Sequence, residues 1–319
     1  MMRRESFPIG GVRVRPGKAK NVELPITRLI TGQDASLPVR VVHGREDGPA
    51  VWLDAAIHGD EINGIEVISQ VLAGLDARTL RGTVVAVPVV NVLGFMIGSR
   101  YLPDRRDLNR SFPGSARGST AARIAHLLIE EVVSKCEVGI DLHTGSDRRT
   151  NLPQIRGDLS DPRTRELAEA FGAPVMLDAK LRSGSLRAEA RKRGATVLLY
   201  EAGEAGRFDH WAIDAGVVGV RRVLAKLGMI DEDTVEPGAL PAMCTNSGWV
   251  RARRTGLLAL DVELGDLVTE GQRIGGLSDT FGRRVRLVHA DRSGVVIGLT
   301  RQPSVNSGDA LVHIASVLD

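Results

Sequence analysis

A short apolar stretch followed by a histidine and a glutamate constrains the fold of this chain more than any other feature of its sequence. Residues 49–53 (PAVWL) have the composition of a buried strand, and the apolar residues within 62–72 recur at helical spacing. His58 and Glu61 therefore fall where a strand ends and a helix begins, which is the edge at which open α/β sheets bind ligands. An imidazole and a carboxylate three residues apart on a turn can reach one ion, and zinc accepts both nitrogen and oxygen donors.

The same pair of residues also has a simpler interpretation. His58 would then lie on the surface, and Glu61 would stabilise the N-terminus of the following helix through the helix dipole. Residues 1–48 are expected to form short strands and turns, and the next strong strand is predicted at Thr83–Val90. A strand–helix–strand order of this kind predicts a parallel crossover and therefore an α/β sheet.

A second apolar strand also ends in a histidine. Residues 138–142 (VGIDL) directly precede His143. If neighbouring strand ends bring His143 to His58 and Glu61, the set contains two nitrogens and one carboxylate. That is the open zinc arrangement, which leaves a coordination position for water.

Polar residues in three further segments are candidates for the same site. The segment 104–114 is dense in Arg, Asn and Asp and framed by Gly and Pro, so it is either a structured anion-binding loop or a solvated face. Glu201 lies in a buried-looking strand over 196–204, where a carboxylate is costly unless it has a function or an arginine partner. Residues 147–149 and Asn151 either contact substrate or belong to a loop surface.

The sequence changes character from about residue 242, where short strands alternate with glycine turns. The segment 268–274 resembles 305–311, and a glycine-led apolar strand precedes each, so a faint internal repeat predicts two similar halves. Two such halves resemble the barrel-sandwich folds of biotinyl and lipoyl carriers. Those carriers need a lysine on the hairpin between the halves, and this chain has none after Lys226, which excludes a covalent carrier role.

Length and composition indicate two domains and argue against several classes of function. A chain of 319 residues can bury a large core, and we expect an α/β domain over 1–235 and an all-β domain over 240–319. The net charge of +3, with scattered basic residues and 3% aromatics, argues against nucleic-acid binding. We see no signal peptide and no apolar run of about 18 residues, so we expect a cytoplasmic protein without membrane association. Cys136 and Cys244 match no metal-ligand spacing and are expected to be free thiols.

Four motifs, taken in order, resemble those of the succinylglutamate desuccinylase and aspartoacylase family, a branch of the zinc carboxypeptidase superfamily. They are HGDE at 58–61, DLNRSFPG at 107–114, DLHTG at 141–145 and YEAG at 200–203. The resemblance covers roughly residues 35–227, and the β-rich tail fits the family's C-terminal domain. It implies a zinc-carboxypeptidase-like mixed sheet flanked by helices, followed by a smaller all-β, barrel-sandwich-like domain.

The resemblance also implies roles for individual residues. It implies one Zn²⁺ per chain held by His58, Glu61 and His143, Asp107 orienting His58, Asn109 and Arg110 gripping a substrate carboxylate, Glu201 as general base, and Arg100 stabilising the oxyanion. A carboxylate behind a metal-binding histidine fixes its tautomer, and arginine offers a planar two-pronged donor to a carboxylate. The spacing from Arg100 to Asn109 is longer than in aspartoacylases, so the match of Arg100 departs from the family pattern.

The function implied by the resemblance is zinc-dependent hydrolysis of an amide bond, removing the acyl group from an N-acyl amino acid or a related N-acyl amine. A second interpretation is a zinc carboxypeptidase acting on short peptides, because the same ligands serve both reactions. A third, of another class, is a non-catalytic binding protein with a vestigial metal site. The expected partner is a small N-acyl substrate, and the β-rich tail would either cover the active site or pair with another subunit of a homo-oligomer.

Overall fold

The computed structural model describes residues 4–236 and 238–318, apart from the side chain of Val285. The helices are α1 (Asn63–Ala73), α2 (Val92–Met96), α3 (Thr120–Glu131), α4 (Pro162–Phe171), α5 (Leu186–Lys192) and α6 (His210–Lys226). The strands are β1 (Phe7–Ile9), β2 (Val12–Val14), β3 (Lys18–Arg28), β4 (Asp34–His43), β5 (Glu46–Ala55), β6 (Arg81–Val87), β7 (Val138–Gly145), β8 (Arg149–Gly157), β9 (Val175–Asp178), β10 (Thr196–Glu204), β11 (Ala242–Arg251), β12 (Gly256–Leu260), β13 (Leu267–Val268), β14 (Arg273–Ser278), β15 (Arg284–His289), β16 (Gly294–Thr300), β17 (Ser304–Val305) and β18 (Ala310–Val317).

One mixed sheet organises this part of the chain. Within the described ranges, twelve strands join it in the order β13-β16-β18-β11-β9-β8-β10-β7-β5-β6-β4-β3. Its centre, β6-β5-β7-β10, is parallel. The helix α1 connects β5 to β6 along the chain, and the two strands pair in parallel, as predicted for a crossover. These central strands are apolar on both faces because helices cover both: α1, α4 and α6 pack on one face, α3 and α5 on the other. The mixed α/β class predicted from the sequence is confirmed.

The N-terminal region and β8 differ from the prediction. Residues 1–48 were expected to form short strands and turns, but β3 and β4 run for 11 and 10 residues. In β3 every second side chain from Val22 to Ile26 is buried, so a half-polar strand still packs one face on the core. The strand β8 was not predicted, because Pro153 and the arginines of this segment interrupt the alternation of apolar and polar residues that marks a strand. Both of its edges are paired, by β10 on one side and by β9 and β16 on the other.

The internal repeat of the tail is present in the structure. Strands β12–β14 form one unit and β16–β18 the other, and each unit gives its two-residue strand to the other's sheet: β13 pairs with β16, and β17 with β12. Gly271 and Gly308 occupy the same turn position with φ of 80° and 96°, which glycine adopts without strain. The tail has its own apolar core, and the designation barrel-sandwich stays a prediction.

The two parts of the chain are joined through hydrogen-bonded strands. Strand β11 pairs in parallel with β9 and antiparallel with β18, so the sheet of the first part continues into the tail. The domain limits near 235 and 240 stay a prediction. Cys136 and Cys244 are buried free thiols, as expected. No helix among residues 4–236 and 238–318 is long and apolar enough to cross a bilayer.

Candidate active site

The turn after β5 and the end of β7 bring three candidate metal ligands together. Ala56 takes a left-handed φ of 50° and turns the chain out of the sheet, so that His58 and Glu61 lie at its C-terminal edge. Strand β7 runs parallel beside β5 and delivers His143 to the same edge. The three side chains are buried, and one ligand atom from each lies within 4.8 Å of the others. The carboxylate of Glu61 therefore faces two imidazoles and does not merely cap a helix.

The orientation of the two imidazoles fits a zinc ion. His58 Nδ1 lies 2.8 Å from Glu61 Oε1, and His143 Nδ1 lies 2.7 Å from Glu61 Oε2. The opposite ring nitrogens face other carboxylates: His58 Nε2 is 3.3 Å from Asp107 Oδ1, and His143 Nε2 is 2.8 Å from Asp141 Oδ1. Among the described residues, buried His58 Nδ1 makes no well-formed hydrogen bond. A carboxylate beside the outer nitrogen turns Nδ1 of each ring towards Glu61, which is the side on which a metal would bind.

The charges of the site stabilise the ionised carboxylates. Burial raises the pKa of Glu61, but the two imidazoles more than offset this and hold its pKa well below the usual range. Burial likewise raises the pKa of Asp107, and the hydrogen bond from His58 brings it down to about 2. Arg100 Nη1 donates to Glu61 Oε1 at 2.8 Å, and its Nη2 lies 3.5 Å from Asp107 Oδ2. Arg100 thus lies directly against the candidate metal site.

A further carboxylate lies behind Asp141, and the sequence did not single out either residue. Asp54 and Asp141 are opposite each other in β5 and β7, and both are fully buried. Trp52 Nε1 donates to Asp54 Oδ1 at 2.7 Å. Burial, together with the neighbouring charge of Asp141, raises the pKa of Asp54 well above its usual range. An aspartate within each of two otherwise apolar strands was the signal that could have identified this pair.

Glu201 lies one strand away from the candidate ligands. It is opposite His143 in the parallel pair of β10 and β7. Its Oε2 accepts a hydrogen bond from Asn151 Nδ2 at 2.7 Å, and its Oε1 lies 3.7 Å from Arg156 Nη1. Glu201 therefore has an arginine nearby, as one interpretation expected, but it also lines the same cavity as His58 and His143.

The cavity that contains these residues is strongly basic. It has a volume of about 830 Å³, and seven Arg or Lys residues but only three carboxylates line it. The cationic residues are Arg100, Arg110, Arg149, Arg156, Lys180, Arg182 and Arg187, and the acidic ones are Glu61, Asp178 and Glu201. An excess of positive charge in a concave site attracts anionic ligands.

Comparison with known proteins places this site in a family. The model of the succinylglutamate desuccinylase/aspartoacylase catalytic domain matches residues 47–227. The chain belongs to the succinylglutamate desuccinylase/aspartoacylase family. The resemblance seen in the four sequence motifs is thereby confirmed.

Two relatives show how far the similarity of this family member extends. The chain is 32% identical over 296 residues to the N-alpha-acetyl-L-2,4-diaminobutyric acid deacetylase of Halomonas elongata, covering 89% of this chain and 86% of that one. A succinylglutamate desuccinylase/aspartoacylase from Rhodobacter sphaeroides has a TM-score of 0.83 at 27% identity and covers 94% of this chain and 96% of its own.

A third relative extends the similarity of fold over nearly the whole chain. The product-bound ectoine utilization protein EutE (DoeB) of Ruegeria pomeroyi superposes with a TM-score of 0.84 at 23% identity, covering 98% of both chains. The tail of this family member is therefore included in the shared fold.

The Asn-Arg motif of this family member lies at the cavity, with its two residues in different environments. Asn109 is buried, and its Oδ1 accepts a hydrogen bond from the backbone N–H of Leu186 at 3.0 Å, which joins the motif to the start of α5. Among the described residues, the Nδ2 group of Asn109 has no acceptor, so its two N–H donors are available to a ligand. Arg110 is exposed in the cavity wall, where its Nη1 donates to the carbonyl of Asn109 and the rest of its guanidinium is available to an anion.

A buried arginine that the sequence did not single out lies in the same wall. Arg187, in α5, is only 9% exposed. Its Nη2 donates to the carbonyl of Lys180 at 2.9 Å, and its Nη1 has no hydrogen-bond partner within the described part of the chain. Burial lowers the pKa of Arg187, and the charge of Arg156 lowers it further. A buried guanidinium with a free donor is a favourable contact for an anionic group.

The tail of this family member also contributes to the cavity. Residues 245–249 of β11 and His313 of β18 line it. The rings of Trp249 and His313 stack at a centroid distance of 4.7 Å, and the guanidinium carbon of Arg149 lies 5.4 Å from the Trp249 ring centre. Arg149 and Asn151, left open between substrate contact and loop surface, lie in β8 and in the cavity wall.

Proposed function

We propose that this protein is a zinc-dependent deacylase that hydrolyses the amide bond of an N-acyl amino acid or a related N-acyl amine. The observation that carries the proposal is the meeting of His58, Glu61 and His143 with Glu201 in one basic cavity. Family membership supports amide hydrolysis as the class of reaction. The name of the Halomonas relative, an N-acetyl amino acid deacetylase, supports the same class of substrate.

The residues of the cavity divide the work of such a reaction. A zinc ion held by His58, Glu61 and His143 would polarise the scissile carbonyl and acidify a water molecule. Glu201 accepts the proton of the attacking water and passes it to the leaving amine, so that one carboxylate serves as base and then as acid. Arg100 lies beside Glu61 and stabilises the negative charge that develops on the carbonyl oxygen.

The basic wall indicates which substrates the cavity accepts. Arg110 and Arg187 present guanidinium groups to it, and carboxylates accept paired hydrogen bonds from such groups. We therefore propose that the substrate is anionic, with its amino acid carboxylate bound by these arginines. The Halomonas relative is named for a substrate derived from diaminobutyric acid, which also carries an amine, and so that compound belongs in the test panel.

The proposal is tested by measuring bound metal and amine release, with and without a chelator. The substrates are N-acetyl, N-succinyl and N-formyl amino acids, N-alpha-acetyl-2,4-diaminobutyric acid and a set of short peptides. About one zinc per chain and chelator-sensitive release support it. Zinc with release only from short peptides would favour the carboxypeptidase interpretation. A protein with neither metal nor activity would favour the binding-protein interpretation.

Glu201→Gln separates catalysis from metal binding. The amide cannot accept the proton of the attacking water, so we expect a rate about 10²–10⁴-fold lower with zinc content unchanged. Turnover equal to the original protein would contradict the role of Glu201 as general base.

Arg110→Ala tests the choice of anionic substrates. We expect a larger loss of kcat/KM on N-acyl amino acids than on their carboxamide analogues, because only the former offer a carboxylate to the guanidinium. The substitution Arg106→Ala is a suitable control, since Arg106 is exposed and pairs with Asp104 at 3.3 Å. Equal losses on charged and neutral substrates would argue against a carboxylate contact.

A further inference from the structure

We propose that Asn151 is a positioning residue for Glu201 and that the tail holds Asn151 in place through Gly298 of β16. The inference rests on the proposed role of Glu201 as general base. If the inference holds, the tail contributes to catalysis, because β16 fixes the position of Asn151 and Asn151 orients Glu201.

The first contact is the hydrogen bond between Asn151 and Glu201. Asn151 Nδ2 donates to Glu201 Oε2 at 2.7 Å, and Asn151 is only 5% exposed. A carboxylate can only accept hydrogen bonds, so the amide must present its NH₂ group to Glu201. The bond leaves Oε1 as the oxygen that can take up a proton, with Arg156 Nη1 at 3.7 Å from it. Asn151 therefore determines which way the carboxylate faces.

The second contact is the backbone pairing that holds Asn151. On one side Asn151 is opposite Gly203 of β10, and on the other it is opposite Gly298 of β16. The pairing with β16 continues through Thr150 and Arg149 at the start of β8. The first half of β8 therefore lies between β10 and the tail strand β16. At Asn151 the tail provides the neighbouring strand on one side.

A buried side chain reinforces this edge. Gln154, which is fully buried in β8, donates from Nε2 to the carbonyl of Ile297 at 3.1 Å. Ile297 directly precedes Gly298, so this hydrogen bond fixes β16 against β8 beside the residue that contacts Asn151. The same Nε2 also donates to the carbonyl of Leu152 at 3.1 Å, and separating the two strands would cost the buried hydrogen bond to Ile297.

The third observation is that position 298 leaves little room for a side chain. A methyl group added there would lie 3.0 Å from Asn151 Oδ1, 3.2 Å from His313 Cβ and 3.3 Å from a ring carbon of Trp249. The conflict is one of space, since no left-handed φ is recorded for Gly298. Because Gly298 has no side chain, the Asn151 amide can lie beside the stacked rings of Trp249 and His313. An added methyl group would require these neighbours to move by a few tenths of an ångström, and the nearest of them is the Asn151 amide, which is bonded to Glu201.

The experiment compares Asn151→Ala and Asn151→Asp with the original protein on the best substrate of the deacylase panel. Both variants lack the N–H donor, and Asn151→Asp keeps the shape of the side chain. We expect kcat to fall about 10–100-fold in both, because a shift of about 1 Å in a catalytic group has effects of this order. We expect KM within about threefold and zinc content unchanged, while the thermal midpoint falls in both variants because a buried hydrogen bond is lost. A purely packing role would instead leave kcat of Asn151→Asp unchanged, or would lower zinc content together with kcat.

The second arm tests the contribution of the tail. Gly298→Ala should lower kcat in the same way as the Asn151 variants, with KM and zinc content kept. Gly276→Ala is the matched control in the same part of the chain, because a methyl group there would be 3.6 Å from its nearest neighbour and needs no rearrangement. We expect the activity of Gly276→Ala to equal that of the original protein.

The outcomes separate this inference from the proposed function. If Glu201→Gln is inactive while Asn151→Asp and Gly298→Ala keep full kcat, the positioning role is wrong and the deacylase proposal stands. If Glu201→Gln is fully active, the role of Glu201 as base fails and the inference fails with it. If the Asn151 variants lose kcat but Gly298→Ala does not, Asn151 positions Glu201 without the tail, and the proposed role of Gly298 is wrong.

Discussion

Glu61 is the residue on which the candidate metal site depends, because its two carboxylate oxygens each face one imidazole. With Glu61 ionised at neutral pH, the site already carries the negative charge that a divalent cation requires. His58 and His143 are each held from behind by an aspartate, at 3.3 and 2.8 Å. The three candidate ligands are therefore already in place, which would limit the cost of ordering them if a metal ion binds.

Glu61→Ala should lose bound zinc. The variant removes the oxygen ligand and leaves two imidazoles, which hold the ion too weakly for it to survive dialysis. Metal analysis of the dialysed protein checks this, with Glu66→Ala as control because Glu66 lies outward in α1. Full zinc occupancy in Glu61→Ala would show that the ligand set is wrong.

His313 should make the protein less stable in acid. Burial, with the charges of Arg156 and Arg292, lowers its pKa from 6.5 to about 3. Below pH 6.5 the His313 imidazole is protonated in the unfolded chain, whereas in the folded protein it stays neutral down to about pH 3. Stability is therefore lost as the pH falls through this window, and His313 accounts for about 2 kcal/mol of that loss by pH 5.

The measurement is the difference in urea midpoint between pH 7.5 and pH 5. His313→Gln should show a smaller difference than the original protein. His289→Gln, which replaces an exposed imidazole, should behave like the original. Identical pH dependence in His313→Gln and the original protein would mean that His313 is not held neutral by the fold.

Among the elements, α6 packs on α4 through a glycine. A methyl group added at Gly219 would lie 2.1 Å from a ring carbon of Phe171, so the two helices approach too closely for any side chain there. Phe171 is almost fully buried and also contacts Tyr200, with ring centroids 5.1 Å apart. The contact joins α6, α4 and β10 on one face of the sheet.

Gly219→Ala should destabilise the protein even though alanine is the better helix former. Overpacking against a buried ring costs about 1–3 kcal/mol, which exceeds the gain of about 1 kcal/mol in helix propensity. Val218→Ala, one residue away and 39% exposed, is the control and should change stability by less than about 0.5 kcal/mol. A Gly219→Ala variant as stable as the original in urea unfolding would show that α6 can move away from Phe171.

Strands with a clear local pattern of apolar residues were predicted from the sequence, and a strand without one was not. The strand over 196–204 has the limits that the sequence predicted, and β7 begins at Val138 as predicted, because each contains a continuous apolar run. The strand β8 lacked such a pattern. Its hydrogen bonds to β10, β9 and β16 come from three distant segments, and no local periodicity records them.

For the molecule as a whole, the continuous sheet couples the tail to the catalytic part. Strands β16 and β18 belong to the same hydrogen-bonded sheet as β8 and β10. We expect their backbone amides to exchange with solvent as slowly as those of β8 and β10, because opening one edge exposes the next. Hydrogen exchange followed by mass spectrometry checks this, with the exposed segment 180–183 as a fast-exchanging reference. Rapid exchange throughout 294–317, with β8 and β10 protected, would show that the tail unfolds separately.

The amino-acid sequence by itself determined the local chemistry of the site. His58, Glu61, His143 and Glu201 each lie at or near the end of an apolar strand, and parallel strands bring such ends to one edge, so their meeting follows from pattern and topology. The family followed from the order of four short motifs.

Tertiary structure alone decided which side chains surround that chemistry. Asn151 reaches Glu201, Arg187 enters the cavity wall, and Trp249 and His313 close it because of strand register and helix packing between segments far apart in the chain. A pairing shifted by one residue would turn each of these strand side chains to the opposite face of the sheet. Local sequence does not encode that register, since it is set by the whole set of buried contacts on both faces.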